Sequence, residues 1–322
     1  MKEIIGKAGI SAKVICDSIS EAGVRLITYE ITYPRLVLSE VNTHRMLSKN
    51  SASSRAIPFA KMKEQLTGKP VRFGQANPGM QDKGEDYDGV VAHPRDKTIL
   101  MTPQEAWEKA KEDAVGWSEA YYNAGFHKQV FNRLSETFQM MKTVLTGTEL
   151  ENYFWLRNHD AADPSISELA RCMWEAREDS KPRLLKAGEW HLPYITTYRH
   201  NDEIVYYILD EKNHKVELFL EDAIKVSCAR SAAVSFRNTD YGVEKSREVF
   251  ERLVGDDRKH GSATEHVATP LASEFDGEFP YGATHKDRNG DFWSGNFMGW
   301  LQYRQTIKGH NYARKVIDVG SA

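Results

Sequence analysis

The chain is poor in cysteine. Its 322 residues hold three, Cys16, Cys172 and Cys228, widely spaced and with no C-x-x-C pair. An odd, scattered set does not make a disulfide framework, and a reducing cytoplasm is the expectation. No run of about eighteen apolar residues occurs, so no membrane-spanning helix and no membrane partner is expected. The opening Met1-Lys2-Glu3-Ile4-Ile5-Gly6-Lys7 lacks the apolar core of a secretory signal. An excess of basic charge is missing as well: 43 Lys and Arg face 46 Asp and Glu, for a formal net charge of −3. That balance argues against a nucleic-acid partner, since phosphate contacts call for a basic surface. The length allows a sizeable core, in one large domain or two.

The few thiols also narrow the chemistry. A nucleophilic cysteine needs an electropositive, accessible setting. Cys16 lies in an apolar alternation with Val14, Ile15 and Ile19, and Cys172 stands beside Met173 and Trp174, so both read as core residues. Cys228 neighbours Arg230 and is the one candidate, with buried filler the stronger reading.

What the chain does have is Thr43-His44-Arg45-Met46-Leu47-Ser48-Lys49-Asn50-Ser51-Ala52-Ser53-Ser54-Arg55. Two guanidiniums, an imidazole, an amide and several hydroxyls fall within a short stretch with few large apolar side chains. Such a segment suits an anionic, acceptor-rich ligand, because Arg offers a rigid fork of donors and Ser and Asn add short ones. The plain alternative is a polar loop with a helix cap.

The order of residues resembles the signature of the flavin-dependent thymidylate synthases, R-H-R-x-x-S-x-N-x-x-S-x-R. His44, Arg45, Ser48, Asn50, Ser53 and Arg55 match in register, and Thr43 replaces the first Arg. Thr28-Tyr29 and Pro34-Arg35-Leu36-Val37 are similar to the strand leading into that signature. A second block, Leu156-Arg157-Asn158-His159-Asp160-Ala161-Ala162-Asp163-Pro164-Ser165-Ile166, resembles the family's L-R-x-x-x-x-A-Q-x-E-I, with Asp163 for Gln and Ser165 for Glu. Thr146 and Thr148 stand where the family usually has Asn and Arg.

The family's opening motifs are missing ahead of the signature and resurface later in the chain. Cys228-Ala229-Arg230-Ser231-Ala232-Ala233-Val234-Ser235-Phe236 resembles its A-A-R-V-S-Y strand-to-loop, and His260-Gly261-Ser262-Ala263-Thr264-Glu265-His266 its H-x-T-P-x-E-H turn. A helix over Val243–Val254, closed by Gly255, is expected between them. The chain therefore reads as circularly permuted, a change that is cheap when termini lie close together.

The resemblance implies an α/β protein of the α+β type, a mixed sheet packed with several long helices. It also implies a single catalytic domain over 1–322. Residues 1–176 would carry the signature half and 220–322 the permuted half, with insertions near 74–100 and 272–295. The implied activity is reductive methylation of deoxyuridylate (dUMP) to thymidylate, with FAD as cofactor and NADPH and methylene-tetrahydrofolate as co-substrates, in a homotetramer.

By the same resemblance, Arg157 and Ser53 are catalytic. Glu40, Ser48, Ser53, Arg55, Lys128 and Arg157 would bind the nucleotide, and His44, Arg45, Asn50, Asn152, Ser235, Ser262 and His260 the flavin or its partners. Two rival readings are a pyrimidine hydroxymethylase on the same scaffold and a nucleotide-binding protein without catalysis.

No metal is expected. His260, Glu265 and His266 lack the H-E-x-x-H spacing of zinc helices. Glu189, His191 and His200 could ligate an ion, but a structured loop is the stronger reading.

Patterning gives the layout. Residues 10–38 read as strands, and 62–66 as a short helix. Thr102-Pro103-Gln104-Glu105 opens a helix with a capping box that ends near Gly125. Val130, Leu134, Phe138, Met141 and Leu145 suggest a further helix. Thr148 and Glu151 suggest a capping box for the helix that carries Arg157, and Ser165 with Glu168 another for a helix to Ala176. On that first helix a charge needs an anionic partner, and the plain reading of Arg157 is a pair with Asp160 or Asp163. Residues 202–226 read as strand, turn and helix, and Asn296–Arg304 as a helix with Trp300 and Tyr303 on an aromatic face.

Overall fold

Val14, Cys16, Leu26, Ile27, Tyr29, Ile31 and Tyr33 supply the branched and aromatic side chains that suit a pleated surface, and the two stretches holding them are long strands. The computed structural model describes residues 2–55, 57–234, 241–255 and 259–310. Within these the fold is mixed, of the α+β type. The chain divides into two compact units. The first holds Met1–Ile19, Arg25–Leu184 and Ala233–Thr239, the second Ser20–Val24, Leu185–Ala232 and Asp240–Ala322. Apart from Ser20–Val24, the signature half thus falls in the first unit, and most of the half read as permuted falls in the second.

In the first unit, in chain order, come β1 (Glu3–Ile5), β2 (Ser11–Ser20), β3 (Arg25–Pro34), α1 (Leu38–Thr43), β4 (Ser48–Ser51) and α2 (Phe59–Lys63). Then follow β5 (Val91–Ala92), β6 (Leu100–Met101), α3 (Pro103–Asn123), α4 (Lys128–Phe131), β7 (Met140–Gly147), α5 (Glu151–Arg157), α6 (Pro164–Glu178) and β8 (Arg183–Leu185). The main sheet runs β1-β2-β3-β7-β4, antiparallel throughout, with β8 beside β2. Ile27 faces Gly147 and Pro34 faces Met140, while Ser48 faces Thr146 and Ser51 faces Thr143. A hydroxyl ladder crosses these strands: Thr28 Oγ1 lies 2.8 Å from Thr146 Oγ1, and Thr143 Oγ1 donates to Ser51 Oγ at 2.8 Å.

Tyr29, Ile31, Leu145, Tyr153, Phe154, Ile166, Leu169 and Met173 pack into one core between this sheet and α5 and α6. Each fully buried apolar side chain of that kind contributes about 1.5–3 kcal/mol. Cys16 and Cys172 lie in this unit's interior as expected.

Several local expectations change. The stripe from Val130 to Leu145 is α4, a 3-10 stretch over Asn132–Phe138, and then β7. A central strand buried on both faces shows no alternation, so spacing alone cannot separate it from a helix. Val130 and Leu134, at the start of that stripe, are exposed. The short helix lies at Phe59–Lys63 rather than 62–66. The capping box of Thr102 and Glu105 is present. The other two are not. α5 starts after Leu150 with no side-chain cap, and α6 is capped by Asp163, whose carboxylate accepts from the Ser165 and Ile166 amides at 2.8 and 3.2 Å, ahead of Pro164. In the stretch expected as an insertion near 74–100 the chain folds back on itself at its start: the Gln75 amide donates to Glu85 O and the Tyr87 amide to Phe73 O.

In the second unit, β9 (Thr196–His200), β10 (Glu203–Leu209) and β11 (Lys215–Leu218) form an antiparallel sheet. They are followed by α7 (Leu220–Ala233), α8 (Val243–Val254), β12 (Ala268–Pro270), β13 (His285–Lys286), β14 (Phe292–Ser294), β15 (Phe297–Met298) and β16 (Trp300–Gln302). Leu192, Ala223, Ile224, Cys228, Phe250 and Val267 make its core. Cys228 is therefore filler, and burial pushes its thiol pKa far up.

Helix α8 matches its expected bounds. Cys228–Ala233 lie in a helix instead of a strand-to-loop. Asn296–Arg304 is two short strands and a 3-10 turn, because Gly295 and Gly299 adopt φ of 61° and 69° there. Trp300 is buried and donates to the Val24 carbonyl at 3.1 Å, so it packs rather than offering a ring to a ligand. Among the described residues no helix is long and apolar enough to cross a membrane.

Asp163→Ala removes the α6 cap and should cost about 1 kcal/mol, while Asp163→Asn should cost less. Urea unfolding curves of the two variants beside the parent check this, and equal midpoints for Ala and parent would contradict it.

Candidate functional site

After Pro34 the chain makes a 3-10 turn (Arg35–Val37), runs through α1, and turns over His44–Leu47 into β4. That turn meets the end of α5. The Arg157 guanidinium donates from Nε to His44 Nε2 at 3.0 Å and from Nη2 to Thr43 Oγ1 at 3.3 Å. Thr43 Oγ1 donates onward to the Glu40 carbonyl at 2.6 Å. Tyr153, one turn earlier on α5, presents its ring edge to His44, centroids 4.9 Å apart.

The plain alternative, a pair of Arg157 with Asp160 or Asp163, is not found among the described residues, and Asp163 is used as the α6 cap. Both of Arg157's bonds lie on the Nε side of the guanidinium. Arg157 is thus half-buried and oriented by two neutral partners, and a guanidinium held this way carries further N–H donors that suit an oxyanion or carbonyl.

His44 is half-buried. Burial, then the Arg157 and Lys49 cations, hold its pKa down to about 4. At neutral pH the ring is uncharged, and because Nε2 accepts from Arg157, the ring proton belongs on Nδ1. Neutral His beside Arg is what lets the two sit in contact, since an imidazolium there would repel the guanidinium.

Downstream, the strand and its flank are held from the far side. The Ala52 amide bonds Lys142 O at 2.8 Å. Asn132, fully buried, donates from Nδ2 to Ser54 O at 2.8 Å and Ile57 O at 3.0 Å. Ser54 Oγ donates to Glu136 at 2.5 Å, and Glu136 is paired with Arg35 at 3.0 Å. This scaffold leaves Ser53 half-buried and Arg55 exposed.

The other expected residues are placed as follows. Arg45 is exposed in the turn between α1 and β4. Ser48 and Asn50 alternate on one face of β4 and are 2% and 9% exposed. Glu40 lies on α1, its carboxylate accepting from the Ser39 hydroxyl at 2.7 Å. Asn152 is exposed in the first turn of α5, and Lys128 is half-buried at the start of α4. The structure brings together Thr43, His44 and Arg157, whereas Ser262 and His260 belong to the second unit, both exposed at a 3-10 turn over Gly261–His266. Ser235 lies outside the described residues.

Glu189 is engaged with Arg199 at 3.0 Å and the Lys186 amide at 2.9 Å, and His191 pairs through its backbone with Ala268, so that stretch is a structured loop. His200 is exposed on β9. His266 is buried, which keeps its imidazole neutral with a pKa near 3.

Four residues at the site escaped sequence reading. Thr43 read only as the loss of an Arg, yet it holds Arg157. Asn132 and Glu136 anchor the segment from far along the chain, where no spacing signal points to them. Lys49 occupies a position the signature leaves open.

No protein-family model matches the chain, and no curated protein matches it. Among solved structures, a UMP/dUMP methylase PolB from Streptomyces cacaoi, bound with 5-Br UMP, is similar over 54% of this chain and 91% of its own, at 15% identity and a TM-score of 0.39. A likeness of that degree carries no functional argument.

A depressed His44 pKa has a signed consequence. Between about 6.5 and about 4 the unfolded chain binds a proton that the folded one does not, so this group makes stability fall with falling pH across that window, and the effect levels off below it. A histidine NMR titration should place His44 near 4, and a midpoint near 6.5 would contradict the packing described.

Proposed function

We propose that the protein is an FAD-dependent thymidylate synthase that converts dUMP to thymidylate, with methylene-tetrahydrofolate as carbon donor and NADPH as reductant. The observation that carries this reading is the contact of Arg157 with His44 and Thr43. Two segments that each resemble part of one family signature stand 113 positions apart in sequence and meet through the residues the resemblance singles out.

In this reading the Arg157 guanidinium faces the pyrimidine and stabilises negative charge as the ring is activated, held by His44 and Thr43 before the ligand arrives. Ser53 and Arg55, with Lys128, hold the phosphate, where Arg's fork matches the oxyanion. Glu40 and Ser48 complete the nucleotide set. The donor chemistry of His44 Nδ1, Arg45 and Asn50 fits an acceptor-rich flavin, and Asn152 joins them. When bound, FAD supplies the hydride chemistry, while the protein supplies placement and electrostatics.

The second unit's Ser262 and His260, with Ser235, belong to the proposed flavin and co-substrate set by resemblance alone. A homotetramer and a cytoplasmic location are part of the same proposal. The hydroxymethylase is the second reading, favoured by one observation: Thr43, where the family has Arg, is wired to Arg157, so the contacts around the ring differ from the family pattern.

Purified protein should show flavin absorption bands that bleach when NADPH and dUMP are added without oxygen. Mass analysis of the product then separates a methyl from a hydroxymethyl group. Arg157→Ala should lower kcat about 100-fold or more with flavin still bound. Full activity in that variant would remove Arg157 from the mechanism. A colourless protein that takes up no FAD but binds dUMP would make it a nucleotide-binding protein.

A further inference from the structure

α1 stops abruptly. At its end His44 has φ −81° and ψ 81°, and the carbonyls of the final turn need partners from outside the helix. Lys49 provides them. Its ammonium donates to the His44 carbonyl at 2.5 Å and to the Val41 carbonyl at 3.4 Å. The Leu47 amide also bonds the His44 carbonyl, at 3.3 Å, so two donors converge on that one oxygen.

Alternation along β4 explains how Lys49 reaches it. Ser48 and Asn50 turn to one face and Lys49 to the other, where its side chain folds back beneath the 44–47 turn. The backbone of Lys49 is meanwhile fixed opposite Leu145 on β7. A single residue thus ties the end of α1 to the central sheet.

We propose that Lys49 is a positioning residue for this site: by clamping the His44 carbonyl, it holds the turn in the one shape that presents His44 Nε2 to the Arg157 guanidinium. The inference rests on the proposed role of His44 and Arg157 as ligand-facing groups. Its structural half is independent of which nucleotide binds.

The geometry makes the assignment specific. An apolar residue at position 49 would leave the Val41 carbonyl and part of the His44 carbonyl's bonding unmet, and the turn would relax to find other donors. A relaxed turn carries the imidazole with it, and Arg157 then loses one of its two anchors. The charged or titratable groups facing His44 are Lys49 from β4 and Arg157 and Tyr153 from α5, the last a buried phenol that burial keeps un-ionised. Both cations oppose protonation of the ring, so removal of Lys49 takes away a clamp and a charge together.

The test uses the full chain as parent, Lys49→Met and Lys49→Arg, with Lys49→Gln as the substitute if Met prevents folding. Two quantities are read: the His44 ring titration by NMR, assigned against His44→Asn, and the Kd for dUMP. In the Met or Gln variant, the His44 midpoint should rise by about half a pH unit or more, and dUMP binding should weaken about tenfold, with Arg restoring both. A variant that is less stable but keeps the parent His44 midpoint and the parent Kd would show that Lys49 only braces the fold, and would overturn the proposal. A parent that does not bind dUMP would sink the thymidylate reading, and the titration would still decide whether Lys49 sets the state of His44.

Discussion

The site exists because one strand, β7, is shared. It pairs along its full length with β3 on one side and at its far half with β4 on the other. β3 ends beside the start of β7, so the chain leaves the sheet at Pro34 and must travel back along it to begin β4 opposite Thr146. The segment that makes this journey is the 3-10 turn, α1 and the His44 turn. Since α5 follows directly after β7, Arg157 and His44 arrive at the same end of the sheet. The interior of that strand is fully packed: Val144 and Leu145 are at most 1% exposed. A slip of the β4–β7 pairing by one residue would turn Ser48 and Asn50 to the opposite face and carry the His44 turn away from α5.

Electrostatics then follow from packing. A guanidinium half-enclosed by protein needs acceptors, and it finds a neutral imidazole and a hydroxyl instead of a carboxylate. A carboxylate partner would neutralise the cation and blunt its pull on an anionic ligand. A neutral pair orients the guanidinium and leaves its charge uncompensated. The cost is carried by His44, which is barred from protonating in the physiological range. The opposite flank shows the other solution. Arg35 is consumed by Glu136, and its task is to brace the stretch that presents Ser53 and Arg55.

Some of this was legible in the residues alone. Most of the 10–38 stretch expected as strands, the capping box of α3 and the glycine that closes α8 follow from short-range rules of alternation and capping, although 35–38 forms a 3-10 turn and the start of α1 instead. The errors have physical causes as well. The β7 segment is apolar nearly throughout because both its faces are covered, and its spacing imitates a helix. Ser165, taken for the α6 cap, is displaced by Asp163, whose carboxylate reaches two amides at once and precedes a proline at the first turn. Ser165 instead accepts from the Val71 amide at 3.1 Å, a contact with the 70–84 segment that no local pattern announces. Asn296–Arg304 has helical spacing of its aromatic residues, but left-handed Gly295 stands just before it and left-handed Gly299 divides it.

The sequence by itself determined the chemistry on offer: a cluster of donors from Thr43 to Arg55, a lone Arg157 on an aromatic helix, and two cysteines, Cys16 and Cys172, set in apolar surroundings. Those follow from residue type and local order, where each side chain's own properties decide. Tertiary structure decided which of these groups act together. Only the antiparallel register of β3, β7 and β4 brings Arg157 to His44 rather than to Asp160, turns Thr43 from a missing Arg into a ligand of the guanidinium, and sets Lys49 under the turn. Pairings across more than a hundred residues depend on strand register and core packing, and no short stretch of sequence encodes either one.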